Sequence, residues 1–361
     1  MNVPAATAGR QRGLTLVEIM VALVIGLMLV AGTLQVFSAN QQTYRLTDAA
    51  GRLQEDARFV METLINDVRA AGFQGCVTGS KVPNVVAGDV PPIDLIDTAI
   101  QPYHYDSGGN WQPAAPDDWA RVGRNPLPGT DVILIQRGGD DLVPLATDMA
   151  GTSADIVLSA DPDMDIGELV MIADCDRANI FRASTGSSGT TLKHATDSGQ
   201  NTSAALSKAY DTASSTEVMR FLHRAYFVSD TGRTTEAGAP VISLYQFTVP
   251  RTGTWSDGVE ELVEGVEHLR VLYGQQISNA GDFRYVPATD GALDPGEIVS
   301  VQLGALLVSP DRVLDADLPA AFSLLDLVFA PNGETADINF ADDRRLRRPV
   351  TTTVAIRNRR E

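Results

Sequence analysis

The sequence is poor in the residues from which metal and catalytic sites are usually built. Its 361 residues include 2 cysteines and 4 histidines, and no two histidines are spaced as an H-x-x-x-H pair of ligands. Two cysteines without clustered histidines do not indicate a structural zinc site. G-x-S-x-G, P-loop and G-x-G-x-x-G patterns are missing as well. We therefore predict no cofactor and no catalysis by the chain itself.

Positive charge is scarce relative to negative charge. The chain has 28 lysines and arginines against 46 aspartates and glutamates, which gives a formal net charge of −18. Removing residues 1–13 would take away Arg10 and Arg12 and leave −20. Such an acidic surface favours solubility and disfavours general binding to nucleic acid. Hydrophobic residues make up 44% of the chain, which excludes a disordered protein.

The end of the chain departs from this acidic composition. Seven arginines fall within the last eighteen residues: Arg344, Arg345, Arg347, Arg348, Arg357, Arg359 and Arg360. Because they alternate with valine, threonine and proline, we expect them on the solvent face of an edge strand, where charge discourages mispairing. A local DNA-binding patch is the alternative, and the net negative charge of the chain argues against it.

A single hydrophobic run, residues 14–37, is long enough to cross a membrane. Its 24 residues follow Arg10 and Arg12, as the positive-inside rule expects for a cytoplasmic leader over residues 1–13. One carboxylate, Glu18, lies inside the run, where it costs roughly 2.5–3.5 kcal/mol on insertion scales. The simplest explanation is that Glu18 reaches the membrane edge or is protonated there.

The helical pattern continues beyond the hydrophobic run. An apolar stripe with spacings of three and four is formed by Leu46, Ala49, Ala50, Leu53, Ala57, Val60, Met61, Leu64, Ile65 and Val68. Charged residues, among them Asp67, occupy the other faces, and no proline interrupts residues 14–72. We predict one helix of about 55 residues that ends near Gly72. A coiled coil is the alternative for its second half, but the stripe covers barely three heptads.

After Gly72 the apolar period shortens towards two, which predicts strands. The predicted strand runs are Asp131–Gln136, Glu168–Asp174, Val218–Val228, Val241–Val249, His268–Tyr273, Ile298–Val308 and Thr351–Ile356. Residues 183–216 are rich in Ser, Thr and Gly and predict a long exposed or loosely packed loop between two β-rich parts, 73–182 and 217–361. The predicted fold class is α+β: a long N-terminal helix packed on a mainly antiparallel head, the β-rich region after residue 72.

Two further features of the head concern disulfide and metal chemistry. In an oxidising compartment Cys76 and Cys175 would form a disulfide, and two buried free thiols are the alternative. Asp161, Asp163 and Asp165 resemble an acidic calcium loop, but the following glycine lies one position late for an EF-hand. A turn that enters the predicted strand Glu168–Asp174 is the favoured interpretation of these aspartates.

The residues from Gly13 to Glu18, G-L-T-L-V-E, resemble the type III signal of type IV pilins and type II secretion pseudopilins. The resemblance implies that prepilin peptidase cleaves between Gly13 and Leu14 and methylates the new amino group of Leu14. Glu18 then becomes the fifth mature residue, and its carboxylate pairs with the N-terminal ammonium of a neighbouring subunit, which sets filament registry. The family usually has phenylalanine at the first mature position, and leucine is a conservative departure.

Two ordinary explanations of this N-terminus fit less well. A Sec signal peptide could be cleaved near Val30–Gly32, but the apolar core is too long and the helix continues past it. A plain signal anchor gives no role to Glu18 or to the glycine before the run.

Segments throughout the chain resemble the PilW group of minor pilins. They are Ala70–Cys76, Ile172–Cys175, Gly265–Gly274 and Thr351–Asn358. The resemblance implies a disulfide between Cys76 and Cys175, since two cysteines occupy these contexts in that group. It also implies a minor pilin stored in the inner membrane with a periplasmic head and later incorporated into an extracellular pilus. The implied partners are prepilin peptidase, other minor pilins and the major pilin, with a tip adhesin as a further candidate and nucleic acid disfavoured.

Two other functions remain as alternatives at this point. A J-type pseudopilin of type II secretion would share the signal and a large β head, and its genomic neighbours would differ. A signal-anchored periplasmic enzyme or ligand-binding protein would require a cluster of polar site residues in the head, which the sequence does not show.

Overall fold

The computed structural model describes residues 15–77, 84–88, 98–114, 119–196, 201–236, 238–250, 255–277, 282–316 and 321–358. The chain divides into two compact units, Met1–Gly51 and Arg52–Glu361. The predicted cleavage residues Gly13 and Leu14 lie outside the described residues.

The predicted long helix is confirmed: α1 runs from Leu16 to Ala70 over 55 residues. It ends at a turn in which Gly72 has a φ of +74°, a conformation that glycine adopts without strain. A Cβ at Gly72 would lie 2.6 Å from the carbonyl oxygen of Asn358. The amide of Gly72 also donates to the carbonyl oxygen of Gln136 at 2.8 Å, which fixes the end of the helix to the sheet.

Most of the predicted apolar stripe within the second unit is buried. The buried members are Leu53, Ala57, Val60, Met61, Leu64 and Val68. Val60, Leu64 and Val68 are 0% exposed, and they share one hydrophobic cluster with residues from both of the larger sheets described below. The second half of α1 is therefore a core helix of the second unit.

The rest of the described chain is built mainly from strands. In chain order they are β1 (Asn84–Val85), β2 (Ile100–Tyr105), β3 (Trp111–Gln112), β4 (Thr130–Gly138), β5 (Val143–Pro144), β6 (Ile156–Val157), β7 (Leu169–Ala173), β8 (Ala178–Arg182), β9 (Thr191–Leu192), β10 (Glu217–Thr234), β11 (Pro240–Thr248), β12 (Val259–Glu264), β13 (Val266–Gln276), β14 (Phe283–Pro287), β15 (Ile298–Arg312), β16 (Phe322–Leu324), β17 (Leu327–Pro331), β18 (Ile338–Phe340) and β19 (Arg345–Ala355). A short helix α2 (Trp119–Val122) and two 3₁₀ turns, Trp255–Gly258 and Pro295–Glu297, connect them. Every strand run predicted from the sequence overlaps one of these strands.

Strand β10 organises the largest sheet, whose order is β1-β8-β7-β10-β4-β2-β3. Its first residues pair with β7 and β5, and its later residues pair with β4 and with β11, which in turn pairs with β12. A second sheet has the order β14-β13-β15-β19, and smaller sheets join β16-β17-β18 and β6-β9. The described pairings are antiparallel except β1 with β8 and β17 with β18, so the predicted α+β class with a mainly antiparallel head is confirmed.

The loop predicted at 183–216 forms little regular structure in its described part, but it is not loosely packed. Leu192, Leu206 and Tyr210 are buried in one hydrophobic cluster with the strands before and after them. Lys208 donates to the buried carboxylate of Asp174 at 2.5 Å. Apolar residues spaced among the Ser, Thr and Gly residues therefore anchor parts of this segment to the neighbouring strands.

Candidate functional site

Of the N-terminal candidate residues Gly13, Leu14 and Glu18, the structure describes Glu18, which contacts Thr15. The backbone amide and the hydroxyl of Thr15 each donate to Glu18 Oε2 at 3.0 Å, and the Glu18 amide lies 3.3 Å from the Thr15 hydroxyl. This is a capping box, in which both side chains satisfy free amides at the start of the helix. Among the described residues no cation pairs with Glu18. The T-L-V-E pattern, Thr15 to Glu18, is the sequence signal for this capping box.

The first half of α1 presents apolar side chains that nothing in the described chain covers. An 18-residue window of this helix has a mean hydropathy of 2.4 and contains no buried residue. Leu16 is 75% exposed, Leu27 68% and Phe37 60%. A helix of this length and composition, next to the N-terminus, fits a single-pass membrane anchor.

The predicted disulfide is present and joins Cys76 to Cys175 across 99 positions of sequence. It links the turn after α1 to the end of β7, with Cα atoms 4.5 Å apart. Both residues are exposed at the surface, so the alternative of two buried free thiols is wrong. The bond ties the end of the helix covalently to the largest sheet.

The three aspartates of the calcium candidate do not assemble into a metal site. The amide of Asp163 donates to the carboxylate of Asp161, and the amide of Asp165 donates to Glu168. These contacts are those of a turn entering β7, as the simpler interpretation holds. Within the described ranges no group of three or more His, Cys, Asp or Glu residues is placed to hold a metal ion.

A buried ionic cluster lies where the last turns of α1 meet the largest sheet. Asp67 is 3% exposed. Its carboxylate accepts from Arg137 Nε at 3.0 Å, Arg224 at 3.0 Å and the Tyr226 hydroxyl at 2.6 Å. Asp67 lies on a face of the helix outside the apolar stripe, and at this position arginines on β4 and β10 cover that face. A helical pattern alone does not show which polar residues meet partners from distant strands.

A second buried carboxylate, Asp131, connects the two larger sheets. It is 0% exposed and accepts from the Val271 amide at 2.7 Å and from the guanidinium of Arg270 at 3.3 Å. His104 Nδ1 lies 2.6 Å from the same carboxylate. Asp326 completes the network by accepting from Arg270 at 2.6 Å. The cluster pairs its charges within the fold and thereby fixes β4 against β13.

The arginines near the C-terminus were predicted on the solvent face of an edge strand. Within the second sheet β19 is an edge strand, but Arg345 and Arg347 are buried, at 8% and 6% exposure. Arg347 donates to Glu267 at 2.7 Å and to Asp343 at 2.8 Å. Burial alone would raise the pKa of Asp343, but hydrogen bonds from Arg347 and Arg345 lower it to about 2. The prediction was wrong for these two arginines, because nearby carboxylates compensate their charge.

Two histidines are also buried in the sheets. His223 is 1% exposed and His268 4% exposed. Burial lowers the pKa of His223 to about 3 and that of His268 to about 4. Neither side chain is charged near neutral pH, and neither joins a metal-binding group in the described part of the chain. They are core residues.

Comparison with known families identifies two matching regions. Residues 225–358 match the family described as type IV pilus-assembly protein W. Residues 9–34 match the prokaryotic N-terminal methylation motif. A search of curated proteins finds no match to the chain. The first region contains β13, β15 and β19, and the second contains the capping box and most of the apolar half of α1.

Proposed function

Because the chain is a type IV pilus minor pilin of the PilW group, we propose that it primes pilus assembly and is incorporated near the filament tip. In this role it supports adhesion or twitching motility as a structural subunit. The family is a class of structural pilins, and no catalytic role is part of the proposal. The subunit is stored in the inner membrane with its head in the periplasm and then moves into the extracellular pilus.

The observation that carries the proposal is the uncovered first half of α1. Its large apolar side chains are about half to three-quarters exposed, as for Leu16 at 75% and Ile19 at 47%. In water this surface would be unfavourable by roughly 25 cal/mol per Å², so it requires lipid before assembly and other helices after it. The membrane meets the first requirement, and a bundle of such helices, which excludes water, meets the second.

Glu18 supplies the second support for the proposal. Cleavage between Gly13 and Leu14 would create a new ammonium group four residues before this carboxylate. Inside a filament core, Glu18 of one subunit would pair with the ammonium of the next, because an unpaired carboxylate there is costly. Prepilin peptidase, other minor pilins and the major pilin are the partners that this mechanism requires, and a tip adhesin is a further one.

The proposal is tested by measuring both the N-terminal processing of the chain and its presence in sheared pili. We expect mass spectrometry of the membrane fraction to show a chain that begins at a methylated Leu14, and a Gly13→Arg variant to remain uncleaved. The processed protein should co-purify with sheared pili, whereas the variant should be missing from that fraction. Unchanged processing of Gly13→Arg would contradict the assignment of the cleavage site, and absence of the wild-type chain from sheared pili would contradict incorporation into the filament.

A further inference from the structure

A cleft of about 720 Å³ opens beside the C-terminal end of α1, within the second unit. Its charged lining residues are Arg69, Arg137, Arg224, Arg357, Asp67 and Asp140, and its other described lining residues carry no charge. Four guanidinium groups therefore face two carboxylates in a chain whose net charge is −18. This local excess of positive charge is opposite in sign to the rest of the protein.

The two carboxylates of the cleft are already paired. Arg137 lies 3.0 Å from Asp67 and 3.1 Å from Asp140, and Arg224 lies 3.0 Å from the second oxygen of Asp67. The Nε atom of Arg224 is buried and has no hydrogen-bond partner among the described residues. Arg137 and Arg224 are therefore neutralised by carboxylates of the cleft itself, although the Nε atom of Arg224 makes no hydrogen bond among the described residues.

The other two arginines form the rim of the cleft. The backbone amide of Arg357 donates to the carbonyl oxygen of Arg69 at 3.3 Å, which brings the two residues together at the end of the helix. Both residues are exposed, and in the described part of the chain neither side chain is in an ion pair. Two exposed guanidinium groups that no carboxylate of the described residues neutralises form a site suited to an anion.

The chemistry of the cleft favours carboxylates over phosphate. Inside the cleft, Arg137 and Arg224 already hold one carboxylate, that of Asp67. Arg69 and Ala70 belong to the last turn of α1, and the C-terminal end of a helix carries partial negative charge, which disfavours a doubly charged anion more than a singly charged one. The volume is within the roughly 300–1,000 Å³ range of sites for small ligands, so several side chains fit rather than one acid alone.

We propose that this cleft binds an acidic peptide segment of a partner protein, whose carboxylates pair with Arg69 and Arg357. The inference rests on the proposed function as a pilus subunit and specifies that one of its partners presents an acidic peptide segment. Binding of a peptide to the isolated chain does not depend on processing or on filament incorporation, so the two proposals can fail separately.

The experiment measures binding of fluorescein-labelled hexaglutamate to the full chain in nonionic detergent, by fluorescence anisotropy at about 50 mM salt. We expect saturable binding of hexaglutamate and none of hexaglutamine. The variant Arg69→Gln/Arg357→Gln should weaken hexaglutamate binding about tenfold or more, since it removes two charge-assisted contacts. Because both side chains are exposed, its thermal unfolding should match that of the wild type.

The matched control is Arg312→Gln/Arg348→Gln, which removes the same charge from exposed arginines away from the cleft. Arg348 lies nine positions before Arg357, about 30 Å along the strand direction. We expect this control to bind hexaglutamate within about twofold of the wild type. Equal losses of hexaglutamate affinity in both variants would show non-specific attraction and overturn the proposed site. Unchanged hexaglutamate binding by Arg69→Gln/Arg357→Gln would also overturn it.

Competition separates the sources of negative charge. Glutarate should displace hexaglutamate at much higher concentration than unlabelled hexaglutamate does, and inorganic phosphate should do so no better than glutarate. If glutarate displaced the labelled peptide at the same concentration as unlabelled hexaglutamate, the cleft would be a site for a free dicarboxylate. That result would overturn the proposal of a peptide ligand. Displacement by phosphate at a lower concentration than glutarate would overturn the assignment to carboxylates.

Discussion

Helix α1 carries Glu18 in its first half and Asp67 in its second, and the two carboxylates are satisfied in opposite ways. Glu18 is exposed and contacts Thr15 three residues away, with no cation beside it in the described chain. Asp67 is buried and is held by Arg137, Arg224 and Tyr226 from strands far along the sequence. The fold supplies its own cations to Asp67, whereas the filament role proposed for Glu18 requires a cation from another molecule.

Leucines in the two halves of α1 also differ in exposure, as the two carboxylates do. Leu27 is 68% exposed and Leu64 is 0% exposed, although both lie in one continuous helix. The second half uses its apolar stripe to build the core of the second unit. The first half leaves its apolar surface uncovered in the described chain, and we propose that lipid and then neighbouring helices cover it. Changes in the two halves should therefore separate stability from assembly.

The largest expected loss of stability follows removal of the charge at Asp67. Asp67→Asn leaves Arg137 and Arg224 without their shared carboxylate, and we expect the free energy of unfolding of the second unit to fall by about 3–5 kcal/mol. Urea denaturation of the full chain in detergent measures it. Glu55→Gln, an exposed substitution on the same helix, is the control and should change stability by less than about 0.5 kcal/mol. Equal effects of the two substitutions would show that the cluster around Asp67 does not stabilise the fold.

Paired leucine truncations test the two halves directly. Leu64→Ala should cost about 2–5 kcal/mol, since it leaves a cavity in the core. Leu27→Ala removes an exposed side chain and should leave the unfolding of the second unit within about 0.5 kcal/mol of the wild type. The same denaturation experiment compares them, and a large effect of Leu27→Ala would contradict the separation of the halves.

Loss of the disulfide should have an effect of about 2–4 kcal/mol. The Cys76→Ser/Cys175→Ser variant releases a constraint that spans 99 positions, and this loosens the unfolded chain and the end of α1. Reductant should lower the melting temperature of the wild type towards that of the variant. If reductant lowered the melting temperature of the variant as well, the effect would not come from this bond.

Acid should destabilise the second unit before its carboxylates are protonated. Burial lowers the pKa of His223 to about 3 and that of His268 to about 4, from about 6.5 in the unfolded chain. The unfolded state binds protons first, so stability is full above about pH 6.5 and falls by about 1.4 kcal/mol per pH unit for each histidine below it. We expect His223→Leu to roughly halve this slope between about pH 6 and 4.5, measured by chemical denaturation. An unchanged slope would show that protonation of His223 does not contribute to the loss of stability in acid.

Local pattern predicted most of the architecture. The period of the apolar residues gave α1 to within two residues of its C-terminal end, and runs of β-forming residues gave the long strands, such as β10 and β15. The resemblance to the PilW group supplied the Cys76–Cys175 pairing. These features depend on residues that are close in sequence or on a family context.

Contacts between distant segments could not be predicted. Burial of Asp67 depends on arginines at positions 137 and 224, and burial of Arg347 depends on Glu267. No periodicity shows these pairs, because strand register decides which charges meet. The strand order, with β10 beside both β4 and β7, likewise results from packing across the whole unit.

The central claim is that the first half of α1 acts between molecules and the second half within one. Glu18→Gln tests it most directly, with the amount of chain in sheared pili and the unfolding of the second unit measured on the same preparations. We predict at least about a tenfold drop in the filament fraction, since a neutral amide cannot pair with an ammonium group, and unfolding within about 0.5 kcal/mol of the wild type. Wild-type amounts of Glu18→Gln in filaments would contradict the claim.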